Sequence, residues 1–446
     1  MAHSVAELQR IADRHGIALA DVKGPSLEER LAMLEETVTR TDVPFPIDPD
    51  KQANYLAAAR RGAPFGVGNL GQSQVELGKY ANFQWYDQYT PADHLSWACL
   101  VRDQQLTKKE FACEEYLNGE ALFEIGGNVI PEYYLLNARI YQQTQWQLAT
   151  VNMIIPAELF FTCHSRRFFP VTTFMRGLEV DYLQEPDIGH DVAGHVATFT
   201  IPAVANVMKN HGTARDLIYL ERDQQMAAAQ EDTRQIAQIA QQAEELLNLA
   251  GRIYWFMVEF GLVMQRGQVR CFGAGILSSP GETTYSINSP ESNRILIDPS
   301  SDADLLRMAN TDYLISEFQK TYFISENFEL LNSITPDRII RAAKAARHLP
   351  DFNWREIVPG DRIIDLGTIA MTTNEKYFRL MNGDPMDPCV ERSAIRNLAS
   401  HAAGFDSQNY RHLKAFPAAI PPAVLDWYRR NAATLHQRLE ALSASP

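Results

Sequence analysis

The chain has few cysteines and no pattern that would pair them. Its five (Cys99, Cys113, Cys163, Cys271 and Cys389) are odd in number, scattered over 446 residues and free of any C-x-x-C spacing. That argues against a disulfide framework or a thiolate zinc site and leads us to expect a reducing, cytoplasmic setting. A basic block is also missing. With 41 Lys+Arg against 55 Asp+Glu, the formal charge is -14, the opposite of what a phosphate backbone selects, so no nucleic-acid partner is expected. No apolar run approaches the length of a membrane span. The first residues, "MAHSVAELQRIADRHG", show acids and a helical pattern (Val5, Leu8, Ile11) where a secretory leader would carry a basic start and an apolar core. No internal repeat is found. What is present is 46% apolar residues, enough for a large core and, on length, for two or three domains.

Three regions follow from the pattern. Residues 1–82 are charged and alanine-rich, with helical stretches such as "SLEERLAMLEETVTR". They lead into "RRGAPFGVGNLGQ", whose Gly66-x-Gly68-x-x-Gly71 follows a helical rather than a strand pattern and therefore reads as a loop, not a dinucleotide fingerprint. Residues 83–340, richest in aromatics, open with "YTPADHLSWACLVRDQQL" and read as a mainly helical catalytic domain. Within them, Ile236, Ile239, Ala243, Leu246 and Ala250 keep helical spacing, predicting one long helix or two with a break near Gly251. Residues 341–446 form a mixed extension: "DRIIDLGTIAMTT" predicts a strand or hairpin, and a helix follows Pro421 and Pro422. In that helix Leu425, Tyr428, Ala432, Leu435, Leu439 and Leu442 alternate steps of three and four, a seam over 423–442 that suits subunit association as well as packing within the chain. The fold class expected is mainly α with small β elements (α+β).

The chemistry centres on "EPDIGHDVAGHVATF". Asp187 after Pro186 suits a helix start, and His190 and His195 then lie about 140° apart on an ideal helix of 3.6 residues per turn. They flank a wedge that a divalent transition metal would fill if another element supplied a third ligand. One solvent-facing and one packed histidine is the plainer alternative. The third ligand is suggested by "RIYWFMVEFGLV", where Trp255, Phe256, Leu262 and Val263 surround Glu259 at three and four residues. A carboxylate so placed should be buried, which is costly unless it is paired or metal-bound, and no Lys or Arg stands at helical spacing to pair with it. A distant arginine such as Arg176 would be the other partner. Two His and one carboxylate with open positions describe the facial triad of non-haem Fe(II) oxygenases; H-E-x-x-H, the usual zinc hydrolase motif, is absent.

"DYLQEPDIGHDVAGHV", "RIYWFMVEFGL" and "FGAGILSSPGE" together resemble the pterin-dependent aromatic amino acid hydroxylases, particularly the bacterial phenylalanine hydroxylases, over roughly residues 85–335. The resemblance implies a monooxygenase that holds Fe(II) through His190, His195 and Glu259. It would use tetrahydrobiopterin or a related reduced pterin with O2 to hydroxylate an aromatic ring. It also implies that Arg176 clamps the substrate carboxylate as a bidentate fork. Pro186, Trp255, Phe260, Gly275, Ser278 and Ile315 would line the amino acid pocket. The pterin would meet Met153, Ile154 and Ile155 in "TVNMIIPAELFF", Phe160, Asp191 (through water), Gly251 and Tyr254.

The chain departs from that pattern in several places. Met153 stands where relatives have glycine and Ala157 where many have a polar residue, from which a narrowed site or a displaced pterin is expected. Gly189 and Ala193 replace bulkier residues around His190, implying a wider pocket. The 64 residues from His195 to Glu259 point to an insertion of about 213–240, a helical excursion near the site's rim that could serve as a lid or an oligomer contact but reads more plainly as a solvated helix pair. An apolar Ile315 favours phenylalanine, then tryptophan, over tyrosine. Another aromatic substrate of a secondary pathway, or an iron-binding relative without catalysis, are the competing readings.

Overall fold

The computed structural model describes residues 3–66, 77–178, 185–230, 232–315, 317–349, 351–403 and 420–444. The glycine loop Gly68-x-x-Gly71 and the start of "DYLQEPDIGH" lie outside them. The chain divides into two compact units, one of Met1–Thr213 with Arg270–Thr284, the other of Ala214–Val269 with Tyr285–Pro446. As expected, the fold is mainly helical with small sheets.

In the first unit the helices begin where the sequence supplies caps. Ser4 and Ser26 each accept the backbone N–H three residues on, while Glu7 and Glu29 reach back, starting Val5–Arg14 and Leu27–Val38. Thr90 and Asp93 do the same for the 21-residue helix Pro91–Phe111, with Pro91 at its first position. The early helices share the unit's core: Leu8, Ala12, Ile17 and Val22 cluster with Leu95, Ala98 and Cys99, and the Gln142 Nε2 donates to the Thr37 carbonyl. Strands Gln147–Thr150 and Phe168–Val171 are fully buried and parallel, connected through the helix Ala157–Ser165. The second strand delivers the chain to the histidine segment, where Ile188 N–H bonds the Phe174 carbonyl.

The second unit is built on the helix Thr233–Tyr254, whose first turn is capped by Asp232. It runs on to the strand Leu262–Gln265, parallel to Thr321–Ser325; that strand is parallel to Asn293–Ile297, which takes Arg362–Asp365 antiparallel on its other side. The "DRIID…AMTT" segment is therefore strand but not a hairpin: Met371–Thr372 pairs instead with Glu356–Ile357. The expected break near Gly251 falls elsewhere. Gly251 is buried inside Thr233–Tyr254, and the preceding helix Pro202–Ala228 ends before Gln230, which takes a left-handed φ of 54°. The terminal helix Pro422–Ala444 starts at the second proline. Val424, Tyr428 and Leu435 are buried against Tyr377, Leu380, Ala394, Ile395 and Leu398, with Leu425, Ala432, Leu439 and Leu442 packed on the same cluster. The seam expected to serve association or packing is used by packing within the chain. No helix among the described residues is long and apolar enough to cross a membrane.

Candidate metal centre and its surroundings

The two histidines do not sit on a regular helix. Asp187 caps the start, its carboxylate accepting the His190 N–H, and one turn later the chain widens into a π turn over Asp191–His195 before tightening again over Val196–Thr200. In a π turn the backbone bonds span five residues rather than four, which brings residues five apart nearer to one face. Residues 190 and 195 are therefore stacked one turn apart instead of diverging by the 140° of an α-helix. Their Nε2 atoms are 3.3 Å apart and the ring centroids 5.0 Å. Glu259 ends a second π turn, Trp255–Glu259, closed by Phe260 N–H bonding the Trp255 carbonyl at 2.9 Å. It is 2% exposed. One ligand atom from each of His190, His195 and Glu259 lies within 4.8 Å of the others.

A π turn leaves backbone carbonyls that its own N–H groups do not answer, and here buried side chains answer them. The Lys108 ammonium, 1% exposed, donates to the Ala193 carbonyl at 2.7 Å and to Glu120 and Gln104 at 2.5 and 3.1 Å. Burial holds its pKa below the usual lysine value, against the pull of Glu120. The Tyr116 hydroxyl donates to the same Ala193 carbonyl at 2.5 Å and lies 3.0 Å from that of Gly194. Gly194 permits the turn to close on the helix Ala274–Leu277, since a Cβ there would stand 2.9 Å from the Ala274 carbonyl oxygen.

A short relay sets the tautomer of His190. Ser278 Oγ donates its single proton to the Gly275 carbonyl at 3.0 Å, so it must accept from His190 Nδ1, also 3.0 Å away. The proton then sits on Nδ1, and Nε2 presents a lone pair toward His195. Ser278 and Gly275, expected to line the substrate pocket, thus orient an imidazole. Gln104 Nε2 donates to the Ser278 carbonyl at 2.9 Å, tying the relay to the lysine group. On the far side, the Phe169 ring packs on His195 with centroids 4.5 Å apart.

Arg176 is partnered by Asp187. Its Nε and one Nη bond the two carboxylate oxygens at 2.7 and 2.8 Å. Burial works to raise the Asp187 pKa, but these bonds hold it below the ordinary value. One carboxylate therefore caps the histidine helix and fixes the arginine. Asp191 is buried and accepts from the Thr172 N–H and hydroxyl at 2.6 and 2.9 Å; burial raises its pKa to about 7.

The aromatic residues divide by unit. Trp255, half-buried, stacks near Phe260 (centroids 6.4 Å) and on Tyr313 (5.5 Å), a ring that sequence reasoning did not single out. Ile315, two residues on, is half exposed. Tyr254 is fully buried, as is Gly251. In the first unit Met153 and Ile154 are exposed, Ile155 is buried, and the half-buried Phe160 ring packs edge-on against His164 at 4.3 Å. Pro186 leads into the cap. The wider pocket expected from Gly189 is not found. Leu100 fills that space: a Cβ on Gly189 would meet its Cδ2 at 2.1 Å.

The donor set fits Fe(II). Two imidazole nitrogens 3.3 Å apart with a buried carboxylate in reach give three ligands and leave positions for water and O2, which defines the class as a mononuclear non-haem iron oxygenase. Residues 79–335 match the model of the biopterin-dependent aromatic amino acid hydroxylases, and the chain belongs to that family. It is accordingly a pterin-dependent aromatic amino acid monooxygenase. It is similar to the phenylalanine-4-hydroxylase of Ralstonia nicotianae, with 33% identity over 63% of this chain and 80% of that one. The phenylalanine-4-hydroxylase of Caulobacter vibrioides is 33% identical over 65% of this chain and 89% of its own. Among solved structures, Chromobacterium violaceum phenylalanine hydroxylase with bound iron(III) and 7,8-dihydrobiopterin aligns at a TM-score of 0.53 and 31% identity, covering 66% of this chain and 96% of that one.

Proposed function

We propose that this enzyme hydroxylates the ring of free L-phenylalanine with O2 and a tetrahydropterin, on Fe(II) held by His190, His195 and Glu259. The observation that carries the reading is the convergence of two imidazole nitrogens and one buried acid. Bound there, iron would supply O2 activation. The protein's own part is positional. Ser278 keeps the His190 proton on Nδ1, and Lys108 and Tyr116 hold the turn. Asp187 aims the Arg176 guanidinium, which would take the substrate carboxylate. The rings of Trp255, Phe260 and Tyr313 supply an apolar wall for an aromatic side chain. Phe160, with part of its ring exposed, would meet the pterin, together with Met153, Ile154, Ile155, Asp191, Gly251 and Tyr254. Phenylalanine and tryptophan are favoured over tyrosine by the apolar Ile315, and phenylalanine over tryptophan by the substrate named in the bacterial relatives.

Catalysis is assigned to residues 83–340, with 1–82 and 341–446 as supporting segments and 213–240 as an insertion. A cytoplasmic location suits five cysteines that are all buried and free. Any homo-oligomer formed through the last helix would use a face other than its packed seam.

Anaerobic loading with Fe(II), then tetrahydrobiopterin and O2 with phenylalanine, tryptophan and tyrosine in parallel, tests the reading. Tyrosine formed from phenylalanine, matched by pterin oxidation, is the expected result. Iron retention without oxidation of pterin by any amino acid would instead favour a non-catalytic relative.

A further inference from the structure

We infer that the C-terminal segment beyond the family match is a positioning element for the loop that carries Asp312, Tyr313 and Ile315, acting through a buried hub at Asp351. The inference rests on the reading above only in taking that loop to border the substrate.

The loop and the extension exchange backbone bonds. Phe352 N–H donates to the Asn310 carbonyl at 2.7 Å, and Asp312 N–H donates to the Phe352 carbonyl at 2.9 Å. Beside this bridge, Arg252, three residues before Trp255, lies between two carboxylates: it bonds Asp312 on the loop through one Nη and Asp351 on the extension through the other, at 3.1 Å. Neither carboxylate serves Arg252 alone. Asp351 Oδ2 also takes Arg396 at 3.1 Å, and Asp312 Oδ2 takes Arg392 at 3.4 Å. The Asp351 carbonyl collects Asn397 Nδ2 at 2.6 Å, Ser393 Oγ at 2.9 Å and Lys376 Nζ at 3.2 Å. Lys376 is in turn ion-paired at 2.7 Å to Glu356, both side chains 0% exposed. Helices Thr373–Asn382 and Pro388–Ala402 are thereby anchored on one aspartate.

The consequence is steric. Asp312 is followed at once by Tyr313, whose ring lies against Trp255 and Phe256, at 5.5 and 6.2 Å. Three guanidinium groups and two carboxylates share a site in which the Asp312 and Asp351 side chains are 4% and 13% exposed. Removing Asp351 would leave Arg252 with a single acid, and removing Arg392 and Arg396 would leave two carboxylates to share one guanidinium; either unfastens one end of the loop. A buried ion pair that has lost a partner does not keep its geometry, because the remaining charge turns toward water. Residues 351–396 would then set how closely Tyr313 is held to Trp255, and so how tightly an aromatic substrate is gripped, without touching it.

The test uses the full-length, iron-loaded enzyme with Arg396→Ala, Arg392→Ala and the double variant, whose side chains are partly exposed and tolerate removal better than Asp351. Arg396→Lys serves as the conservative rescue. Two quantities are read: KM against kcat for phenylalanine, and amide hydrogen exchange over residues 310–315 in the substrate-free protein. The double variant is expected to raise KM between about threefold and thirtyfold with kcat and iron content little changed, to speed exchange in the loop, and to recover with lysine at 396. If KM or loop exchange is unchanged, even with a lowered unfolding midpoint, the segment is only structural and the inference fails. Should the unmodified enzyme hydroxylate no aromatic amino acid, the functional reading fails by itself, and loop exchange alone decides the positioning role.

Discussion

The two π turns that supply the ligands are held by opposite means. Asp191–His195 is braced from outside by polar side chains, with Lys108 and Tyr116 reaching it from other helices and Ser278, just past the helix Ala274–Leu277, holding His190 at its start. Trp255–Glu259 is the direct continuation of a 22-residue helix, and its middle residues Phe256, Met257 and Val258 are buried apolar side chains. The first turn follows three helical residues and has little helix of its own to impose its pitch, so its carbonyls need remote donors. The second inherits its direction and needs mainly packing. An identical backbone device is thus supported by directional bonds in one case and by non-directional burial in the other, and the two should fail differently.

The sharpest break is loss of a ligand. Glu259→Ala should reduce bound iron to background, a loss beyond the roughly 10–100-fold that follows removal of a supporting residue, with the apoprotein still folded; metal analysis after gel filtration and circular dichroism check this. Next is Lys108→Met, which strands the Glu120 carboxylate and strips the Ala193 carbonyl of a charged donor. About 3–5 kcal/mol of stability should go, read from urea unfolding of the apoprotein, and iron affinity should fall with it. Ser278→Ala leaves the His190 Nδ1–H unanswered without opening the turn. Iron should bind about 10–100-fold more weakly at nearly unchanged unfolding midpoint, a separation that Lys108→Met should not show. Arg176→Ala should mainly raise KM for the amino acid, with pterin binding retained; steady-state kinetics on both substrates decide it. Smallest is Tyr116→Phe, expected to cost about 1 kcal/mol because Lys108 still holds the shared carbonyl. An effect as large as that of Lys108→Met would mean that the hydroxyl, not the ammonium, secures the turn.

Much of this site could be read before any fold was known. The apolar neighbours of Glu259 predict its burial, and the missing local cation leaves a metal or a distant arginine as its partner. Asp187 after a proline marks the helix start, and the capping boxes at Ser4, Ser26 and Thr90 place three helices. The angle between the histidines could not be read, because it assumed an α-helical pitch and no residue in "HDVAGH" announces a π turn. Leu100 was likewise invisible: glycine at 189 signals space, but only packing says what fills it. The terminal seam shows the same limit, since a row of leucines specifies an apolar stripe and not the surface that covers it.

Sequence alone determined the donors, their order, and the fact that one of them had to be buried, because hydrophobic periodicity and the cost of an unpaired charge are local properties of the chain. Tertiary structure decided the pitch that stacks His190 over His195, the serine that sets the imidazole proton, and the aspartate that turns Arg176. Those depend on groups eleven to nearly ninety positions apart meeting at hydrogen-bond distance, and a bond whose strength falls away within an ångström leaves no trace in a linear pattern.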